Sequence, residues 1–195
     1  MSDSILTKKA IAVALKELTL TRPFDKISIS EITKACHLNR QTFYYHFQDK
    51  YELLGWIYYT EGFSVATHDI SFENWHQKIL DFLKVLRKDK TFYCNTIKSA
   101  EKDFVEYLLQ ITITLFEEAI KVVDVQQKVK AEEKKFISEF YAYGVCGIIT
   151  NWIHKGMKEE PETVAHNLKI LALNTEQLGY KICIGEIGSL TSSET

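Results

Sequence analysis

Two short helical patterns separated by a tight turn occur in the stretch SISEITKACHLNRQTFYYHF, and they constrain the fold more than any other feature of the chain. Ser28 followed three residues later by Glu31 is a capping box, which marks the start of the first helix. Asn39 is a favourable N-cap for the second helix, which we expect over residues 40–46. The intervening His-Leu pair forms the turn. Two short helices joined in this way are typical of a helix-turn-helix motif.

The rest of the chain also has the composition and the periodicity of helices. Its 195 residues include only 2 prolines and 8 glycines, too few for a turn-rich β-sandwich. The run ITITLF is rich in β-branched residues, but its flanks keep the helical spacing of apolar residues, so we expect helix there too. We therefore predict an all-α protein with about nine helices.

The predicted helices divide the chain into two parts. Residues 1–48 hold three helices, and residues 1–50 contain eight Lys or Arg against five Asp or Glu. Residues 49–195 begin with a connecting helix over 49–67, and residues 51–195 contain sixteen Lys or Arg against twenty-one Asp or Glu. The mildly basic first part is suited to an anionic partner, whereas the acidic remainder is a larger helical body.

Several other classes of protein are disfavoured by the absence of their motifs. The sequence contains no Walker loop, G-x-S-x-G elbow, HExxH motif or dinucleotide fingerprint, so we expect neither an enzyme nor a bound cofactor. The six histidines form no i, i+4 pair and the four cysteines are far apart, so we expect no metal site and reduced thiols. No apolar run reaches about 18 residues and the first residues lack a signal-peptide pattern, so we expect a cytoplasmic protein outside the membrane.

The second helix of the motif combines an apolar face with an unusual polar surface. Phe43 and Phe47 are four residues apart and share one face, which we expect to pack on a small core. That core comprises Ile11, Leu15, Ile29 and Ile32. No acidic residue lies between Asn39 and Gln48, although exposed helices are usually rich in Glu, Lys and Ala. Arginine, glutamine and threonine side chains suit the base edges of the major groove, so we expect DNA binding.

The stretch ISISEITKACHLNRQTFYYHFQDKYELL resembles the TetR family of bacterial transcription regulators, over roughly residues 7–57. Leu38 in the turn, the Thr-Phe-Tyr run at 42–44 and the YYHF-x-x-K ending carry the likeness. The resemblance implies a three-helix DNA-binding head, a connecting fourth helix, and a helical ligand-binding and dimerisation domain. The segment GIITNWIHKGMKEEPETVAHNL, 147–168, is similar to the last two helices of a subgroup that includes regulators of dihydroxyacetone kinase operons.

The resemblance also implies a double-stranded DNA operator as the partner of the head. The residues that match its base-contacting surface are Arg40, Gln41, Thr42 and Tyr44. The residues that match its phosphate-contacting positions are Ser28, Tyr45, His46 and Lys50. Two positions depart from the family pattern, because Gln41 stands where many members have a small residue and Pro23 where the family usually has glycine.

The body is expected to dimerise and to bind an effector. One recognition helix contacts only a few base pairs, so we expect a homodimer on a palindromic operator. The candidate interface residues are Phe140, Gly144, Gly147, Leu168, Leu171 and Leu178. Effector sites need apolar walls with a few polar groups. The candidate pocket residues are His76, Tyr93, Tyr107, Cys146 and Trp152.

The resemblance leads us to expect a ligand-responsive repressor. One alternative is a transcriptional activator controlled by a protein co-regulator, and a further alternative is a helical enzyme. An enclosed cavity in the body would favour a small-molecule effector, whereas a flat exposed apolar patch would favour a protein. The sequence leaves the effector and the sign of regulation open.

Overall fold

The computed structural model describes residues 3–64, 68–71, 73–124 and 129–183, with the backbone alone described for 175–183. Within these ranges all regular secondary structure is helical and no residue lies in a strand, which confirms the all-α prediction. None of the described helices combines the length and the apolarity that are needed to cross a membrane.

Eight α-helices occur in the described part of the chain. They are α1 (Asp3–Thr19), α2 (Ile29–Ala35), α3 (Arg40–His46), α4 (Lys50–Ile57), α5 (Trp75–Lys88), α6 (Lys90–Val123), α7 (Ala131–His154) and α8 (Pro161–Cys183). A 3₁₀ turn, Phe24–Lys26, precedes α2, and a π-helical segment, Tyr58–Phe63, continues α4. We call α1 to α3 the head and α5 to α8 the body. In the body, α6 packs along α7, and α5 packs against α8.

One helix of the body differs from the sequence expectation. The apolar spacing over residues 92–97 and that over 101–121 predict two separate helices, but both stretches belong to α6. The chain is bent between them at Ala100, whose φ of −143° and ψ of 33° are not helical. The periodicity therefore located the bend, but it could not show that the helix resumes on the other side.

The helices of the head begin where the capping residues predict. Ser28 and Glu31 form a reciprocal capping box before α2. Asn39 Oδ1 accepts a hydrogen bond from the Thr42 N–H at 2.7 Å before α3. Asp49 caps α4 in the same manner. Each cap satisfies backbone donors that the first turn of a helix leaves without partners.

The turn between α2 and α3 contains a left-handed residue, His37, with a φ of 56°. The His37 N–H donates to the Lys34 carbonyl at 3.2 Å, and the Leu38 N–H donates to the Thr33 carbonyl at 2.8 Å. This is the Schellman arrangement, in which glycine usually occupies the left-handed position. Leu38 packs against the core directly after it, so the turn fixes the direction in which α3 begins.

The core of the head is built around α3. Phe43 is 0% exposed and Phe47 is 1% exposed, as the spacing predicts. They share the core with fully buried side chains of α1 and α2, whereas Ile29 is half-buried at its edge. The buried partners are Ile11, Leu15 and Ile32. The opposite side of α3 is consequently turned to solvent.

Aromatic rings fill the space between α4, its π-helical extension, α5 and α6. The rings of this aromatic core belong to Tyr58, Phe63, Phe82, Phe92, Tyr93 and Phe104, all of them buried. Tyr58 stacks on Tyr93 with ring centroids 5.6 Å apart. The Tyr58 hydroxyl donates to Thr96 at 2.8 Å. Burial raises the pKa of both tyrosines well above the ordinary value, so both remain neutral.

Candidate nucleic-acid interface

The exposed side of α3 presents the predicted base-contacting residues together. Arg40, Gln41 and Tyr44 are exposed. Thr42 is half-buried, and its hydroxyl lies 3.0 Å from the capping oxygen of Asn39. These side chains extend from a helix whose other side is locked into the head core. The arrangement offers both hydrogen-bond donors and acceptors to a partner that approaches α3.

Arg40 and Tyr44 form one structural unit on this surface. They lie one turn apart, and the Arg40 guanidinium donates to the Tyr44 hydroxyl at 3.3 Å. The guanidinium carbon also lies 5.9 Å from the centre of the Tyr44 ring. The ring therefore orients the guanidinium, which reduces the conformational freedom that Arg40 would lose on binding.

Tyr45 and His46 lie towards the end of α3. Tyr45 is 83% exposed, and its ring meets the half-buried His46 ring edge-on, with centroids 4.9 Å apart. The phenol and imidazole groups provide hydrogen-bond donors at the margin of the exposed α3 surface. This position suits contacts with a phosphate backbone beside the groove that α3 would enter.

Ser28 lies at the start of α2, where Glu31 occupies its polar groups. The Ser28 hydroxyl donates to Glu31 at 2.7 Å, and the Ser28 N–H donates to the same oxygen at 2.9 Å. A hydrogen bond from Arg22, followed by those from Ser28, lowers the pKa of Glu31 to about 2. The carboxylate is thus ionised at neutral pH, but the Arg22 cation compensates for its charge beside the predicted phosphate position.

Lys50 makes contacts that sequence reasoning missed. Its ammonium donates to the carbonyls of Phe24, Asp25 and Ile27 at 3.0, 3.1 and 3.0 Å. It also lies 4.6 Å from the centre of the Phe24 ring. An ammonium has three N–H groups, so all of its donors are used within the protein in this conformation. Lys50 holds the 3₁₀ turn against the start of α4.

A cavity of about 900 Å³ lies in the body, and it opens towards an exposed face of α7. Its walls are mainly apolar and come from α5, α6, α7 and α8. They include Trp75, Phe116, Ala119, Phe136, Phe140 and Leu171. Asp124 lies at one end, buried and 3.1 Å from the ammonium of Lys134, which compensates for its charge.

The five residues that were predicted to form an effector pocket do not line this cavity. They are His76, Tyr93, Tyr107, Cys146 and Trp152. Tyr93 belongs to the aromatic core, and Tyr107 is exposed beside Phe63. The indole of Trp152 donates to the Glu159 carbonyl at 2.9 Å, which ties the end of α7 to the following loop.

The other two residues of that set lie close to the cavity without lining it. His76 is half-buried next to the lining residue Trp75, with ring centroids 6.1 Å apart. Cys146 is buried on α7, and burial raises the pKa of its thiol to about 12. Periodicity identifies the apolar faces of helices, but it cannot show which faces enclose a cavity and which are tightly packed.

The predicted dimer face is largely exposed. Phe140 is 66% exposed and Leu171 is 48% exposed. Cβ atoms added at Gly144 and Gly147 would meet no atom within 4 Å. Leu168 is the exception because it is 3% exposed and packs within its own chain, so its side chain is not available to a partner. The side chain of Leu178 lies outside the described residues.

Two side chains that sequence reasoning did not assign to this face extend it. Phe136 is 71% exposed and Tyr143 is also largely exposed, and together with Phe140 they follow the helical spacing of α7. Both line the cavity as well. Their helical spacing is visible in the sequence, but their exposure depends on how α7 packs against the other helices.

Comparisons with known proteins agree with this architecture. Residues 11–55 match the family model described as bacterial regulatory proteins, tetR family. Residues 73–174 match the model of a transcriptional regulator C-terminal region. The first match contains the helix-turn-helix motif, and the second contains the helices that surround the cavity.

Individual relatives support the same assignment. The chain is 30% identical over 162 residues to the HTH-type dhaKLM operon transcriptional activator DhaS of Lactococcus lactis subsp. lactis (strain IL1403), covering 80% of this chain and 84% of that protein. A solved structure of a dihydroxyacetone kinase operon activator DhaS is 28% identical, with a TM-score of 0.70 over 89% of this chain and 98% of that one. Native NalD, the secondary repressor of the MexAB-OprM multidrug efflux pump in Pseudomonas aeruginosa, shares the fold, with 19% identity and a TM-score of 0.61 over 91% of this chain and 97% of that one.

The fold and the site therefore define a helix-turn-helix transcriptional regulator that binds DNA and is not an enzyme. The chain belongs to the TetR family of bacterial transcriptional regulators, which confirms the resemblance seen in the sequence.

We predict that Lys50→Met lowers the free energy of unfolding by about 2 kcal/mol, because three carbonyls lose a charged donor. Urea unfolding of the DNA-free protein measures the effect. Lys26→Met, at an exposed lysine of the same 3₁₀ turn, serves as the control and changes stability by less than about 0.5 kcal/mol. Equal stability of the two variants would show that Lys50 does not hold the turn.

Proposed function

We propose that the chain acts as a homodimer that binds a near-palindromic operator through two copies of α3, in the cytoplasm of a bacterium. In this proposal residues 1–48 bind DNA, and residues 49–195 provide the dimer interface and the effector site. The observation that carries it is the exposed Arg40–Tyr44 unit on a helix anchored by Phe43 and Phe47.

The head has two kinds of contact with DNA in this proposal. Side chains on the outer side of α3 contact base edges in the major groove, and they are Arg40, Gln41, Thr42 and Tyr44. Groups at the margins contact phosphates, and they are Ser28, Tyr45, His46 and Lys50. Lys50 has a second role, since its ammonium already fixes the 3₁₀ turn and would have to exchange a carbonyl for a phosphate oxygen.

A second copy of the chain is the proposed partner of the exposed apolar face on α7 and α8. Phe136, Phe140, Tyr143 and Leu171 expose large apolar surfaces, whose burial is favourable. The open sides of Gly144 and Gly147 allow a partner helix to approach closely. A self-complementary face of this kind generates a two-fold dimer, which matches the symmetry of a palindromic operator.

The cavity is the proposed effector site. Its walls are mainly apolar, and the charge of Asp124 is compensated by Lys134, so a neutral and largely apolar molecule fits it best. A protein co-regulator is the second candidate input. Phe136, Phe140 and Tyr143 form both the exposed face and part of the cavity wall, and a protein could therefore reach the same side chains.

For the sign of regulation we propose activation. Sequence reasoning favoured a repressor, but the relative with 30% identity over most of the chain is named as the activator of the dhaKLM operon. The repressor NalD is similar at only 19% identity, which supports the fold alone. We propose a dihydroxyacetone kinase operon as the target for the same reason.

We predict that the double variant Arg40→Ala/Tyr44→Ala binds the promoter region of its own operon about 100-fold more weakly, because direct base contacts are lost. A mobility-shift assay measures the affinity, and a reporter driven by that promoter gives the sign, since expression falls in the variant if the protein activates. The control Tyr59→Ala/Lys158→Ala removes a tyrosine and a cation from exposed positions of the chain outside the head. Unchanged DNA affinity in the first variant would overturn the assignment of α3.

We predict that Phe140→Asp converts the dimer to a monomer, because a carboxylate would be buried without a partner at the interface. Analytical ultracentrifugation measures the mass in solution. Val13→Asp is the matched control, since Val13 is an apolar residue of α1 that is 52% exposed and lies outside α7 and α8. If the Phe140→Asp variant is still a dimer, the dimer interface lies elsewhere on the chain.

We predict that Ala119→Trp abolishes most binding of the neutral apolar fluorophore N-phenyl-1-naphthylamine, because the indole occupies the cavity. Fluorescence titration measures binding. Ala131→Trp introduces the same indole at an exposed position at the start of α7 and leaves binding unchanged. Equal binding by both variants would mean that the fluorophore occupies the exposed face rather than the cavity.

A further inference from the structure

One amide side chain of the body is hydrogen-bonded to the backbone of the segment that connects α1 to α2 in the head. Asn95 lies on α6, before the bend at Ala100. Its Nδ2 donates to the Thr19 carbonyl at 2.8 Å and to the Arg22 carbonyl at 2.7 Å. Its Oδ1 accepts from the Phe24 N–H at 2.9 Å. All the partners are backbone groups, so Asn95 fixes the path of the chain itself.

These three hydrogen bonds determine how the Asn95 amide is oriented and which donors and acceptors the side chain at this position must provide. The two carbonyls need two N–H donors and the Phe24 N–H needs an acceptor, and a side-chain carboxamide supplies this combination. The Thr19 carbonyl lies in the last turn of α1, where the backbone carbonyls have no N–H partner within the helix. Asn95 therefore acts as a cap for α1 that is supplied by a helix of the body.

The segment that Asn95 holds continues to the helix-turn-helix motif. We call residues 19–27 the strut. Ser99 of α6 donates to Asp25 in the strut at 2.9 Å, and Lys50 of α4 donates to three of its carbonyls. Arg22 of the strut also pairs with Glu31, which belongs to the capping box at the start of α2. The strut is thus connected both to α6 and to the first helix of the motif.

A second group of contacts joins α1 to the π-helical segment and to α6. The Lys16 ammonium of α1 lies 2.5 Å from Glu61 in the π-helical segment and 2.5 Å from Asp89 at the start of α6. Burial alone would lower the pKa of Lys16, but the hydrogen bonds to Asp89 and Glu61 outweigh it and raise the pKa. The head therefore contacts α6 through a side-chain cluster and through the backbone bonds of Asn95.

The opposite half of α6 forms a wall of the proposed effector cavity. Thr112, Phe116 and Ala119 line it, all beyond the bend at Ala100. One helix consequently has its first half bonded to the strut and its second half exposed to the cavity. A change in the direction of α6 at its bend would move the strut, because the hydrogen bonds of Asn95 leave little freedom of movement between α6 and the strut.

We propose that Asn95 is a positioning residue that fixes the orientation of the head on the body and thereby sets the half-site spacing that the dimer accepts. The inference rests on the proposed dimeric binding to an operator. In a dimer whose heads are held rigidly, two extra base pairs between half-sites rotate one half-site by about 70°, which breaks its contacts. When the strut is held less firmly, each head can change its orientation on the body and keep its contacts with its own half-site.

The test compares Asn95→Asp with the wild type on operators of different spacing. Wild-type protein first selects its preferred two-fold-symmetric sequence from a random DNA pool. Affinities are then measured for that duplex, for duplexes with one or two base pairs inserted at the centre, and for a single half-site. Asn95→Asp keeps an acceptor for the Phe24 N–H but places a carboxylate oxygen against two carbonyls. The ratio of affinities for correct and misspaced duplexes is expected to fall about tenfold in this variant.

Affinity for the single half-site is expected to stay within about twofold of the wild type, because the three backbone groups that Asn95 binds lie in residues 19–27, outside α3. Gln110→Glu is the matched control, since it makes the same amide-to-carboxylate change at an exposed position of α6 beyond the bend, and it keeps the wild-type spacing profile. Ser99→Ala removes only the hydrogen bond to Asp25. It is therefore expected to lower the ratio of affinities for correct and misspaced duplexes less than Asn95→Asp does.

The possible outcomes separate the two proposals. If the wild type selects no symmetric sequence, the proposed dimeric operator fails, and the inference fails with it. If the wild type selects one and Asn95→Asp has the same spacing profile, the role of Asn95 alone is overturned. If circular dichroism shows that Asn95→Asp does not fold, Ser99→Ala decides, and a wild-type profile in that variant overturns the role of this junction.

Discussion

The burial of Phe43 and Phe47 in the head is the constraint on which the function of the chain depends. Both side chains lie in a core shared with α1 and α2, and their spacing of four residues determines the rotation of α3 about its axis. That rotation turns Arg40 and Tyr44 outward together. The left-handed His37 and the Asn39 cap then fix where the helix begins and in which direction it runs. A helix of only seven residues thereby acquires a defined outer surface because its inner side is packed on α1 and α2.

The body combines a rigid centre with an open side. Stacked rings fill the space next to α4, and they include the neutral Tyr58–Tyr93 pair. The cavity instead lies among α5, α6, α7 and α8, near the surface that is proposed to meet a second copy. Between these regions runs α6, which contacts the strut at one end and the cavity at the other. Structural change in the body can therefore reach the head along one helix while the aromatic core stays intact.

The features that sequence reasoning predicted are those that local chemistry controls. Ser28 and Asn39 cap their helices as expected because a cap depends on a few neighbouring residues. The pocket candidates failed to line the cavity because enclosure depends on how distant helices pack. Lys50 was assigned to phosphate from its match to the family pattern, and its contacts within the protein were missed because the three carbonyl partners lie more than twenty residues earlier in the chain. The Asn95 contacts were missed for the same reason, since their partners are over seventy residues away.

The π-helical segment Tyr58–Phe63 has a consequence for how this chain compares with its relatives. The hydroxyls of Thr60 and Ser64 donate to the carbonyls of Trp56 and Thr60, each four residues earlier, where amide donors would otherwise bind. The widened turn accommodates one additional residue, and each residue of an ordinary helix accounts for about 100° of rotation. A relative with a regular helix at this point would place Phe63 in the core only if its sequence were one residue shorter here. A correct alignment between the two would carry a single-residue gap inside an uninterrupted helix, where gaps are normally penalised.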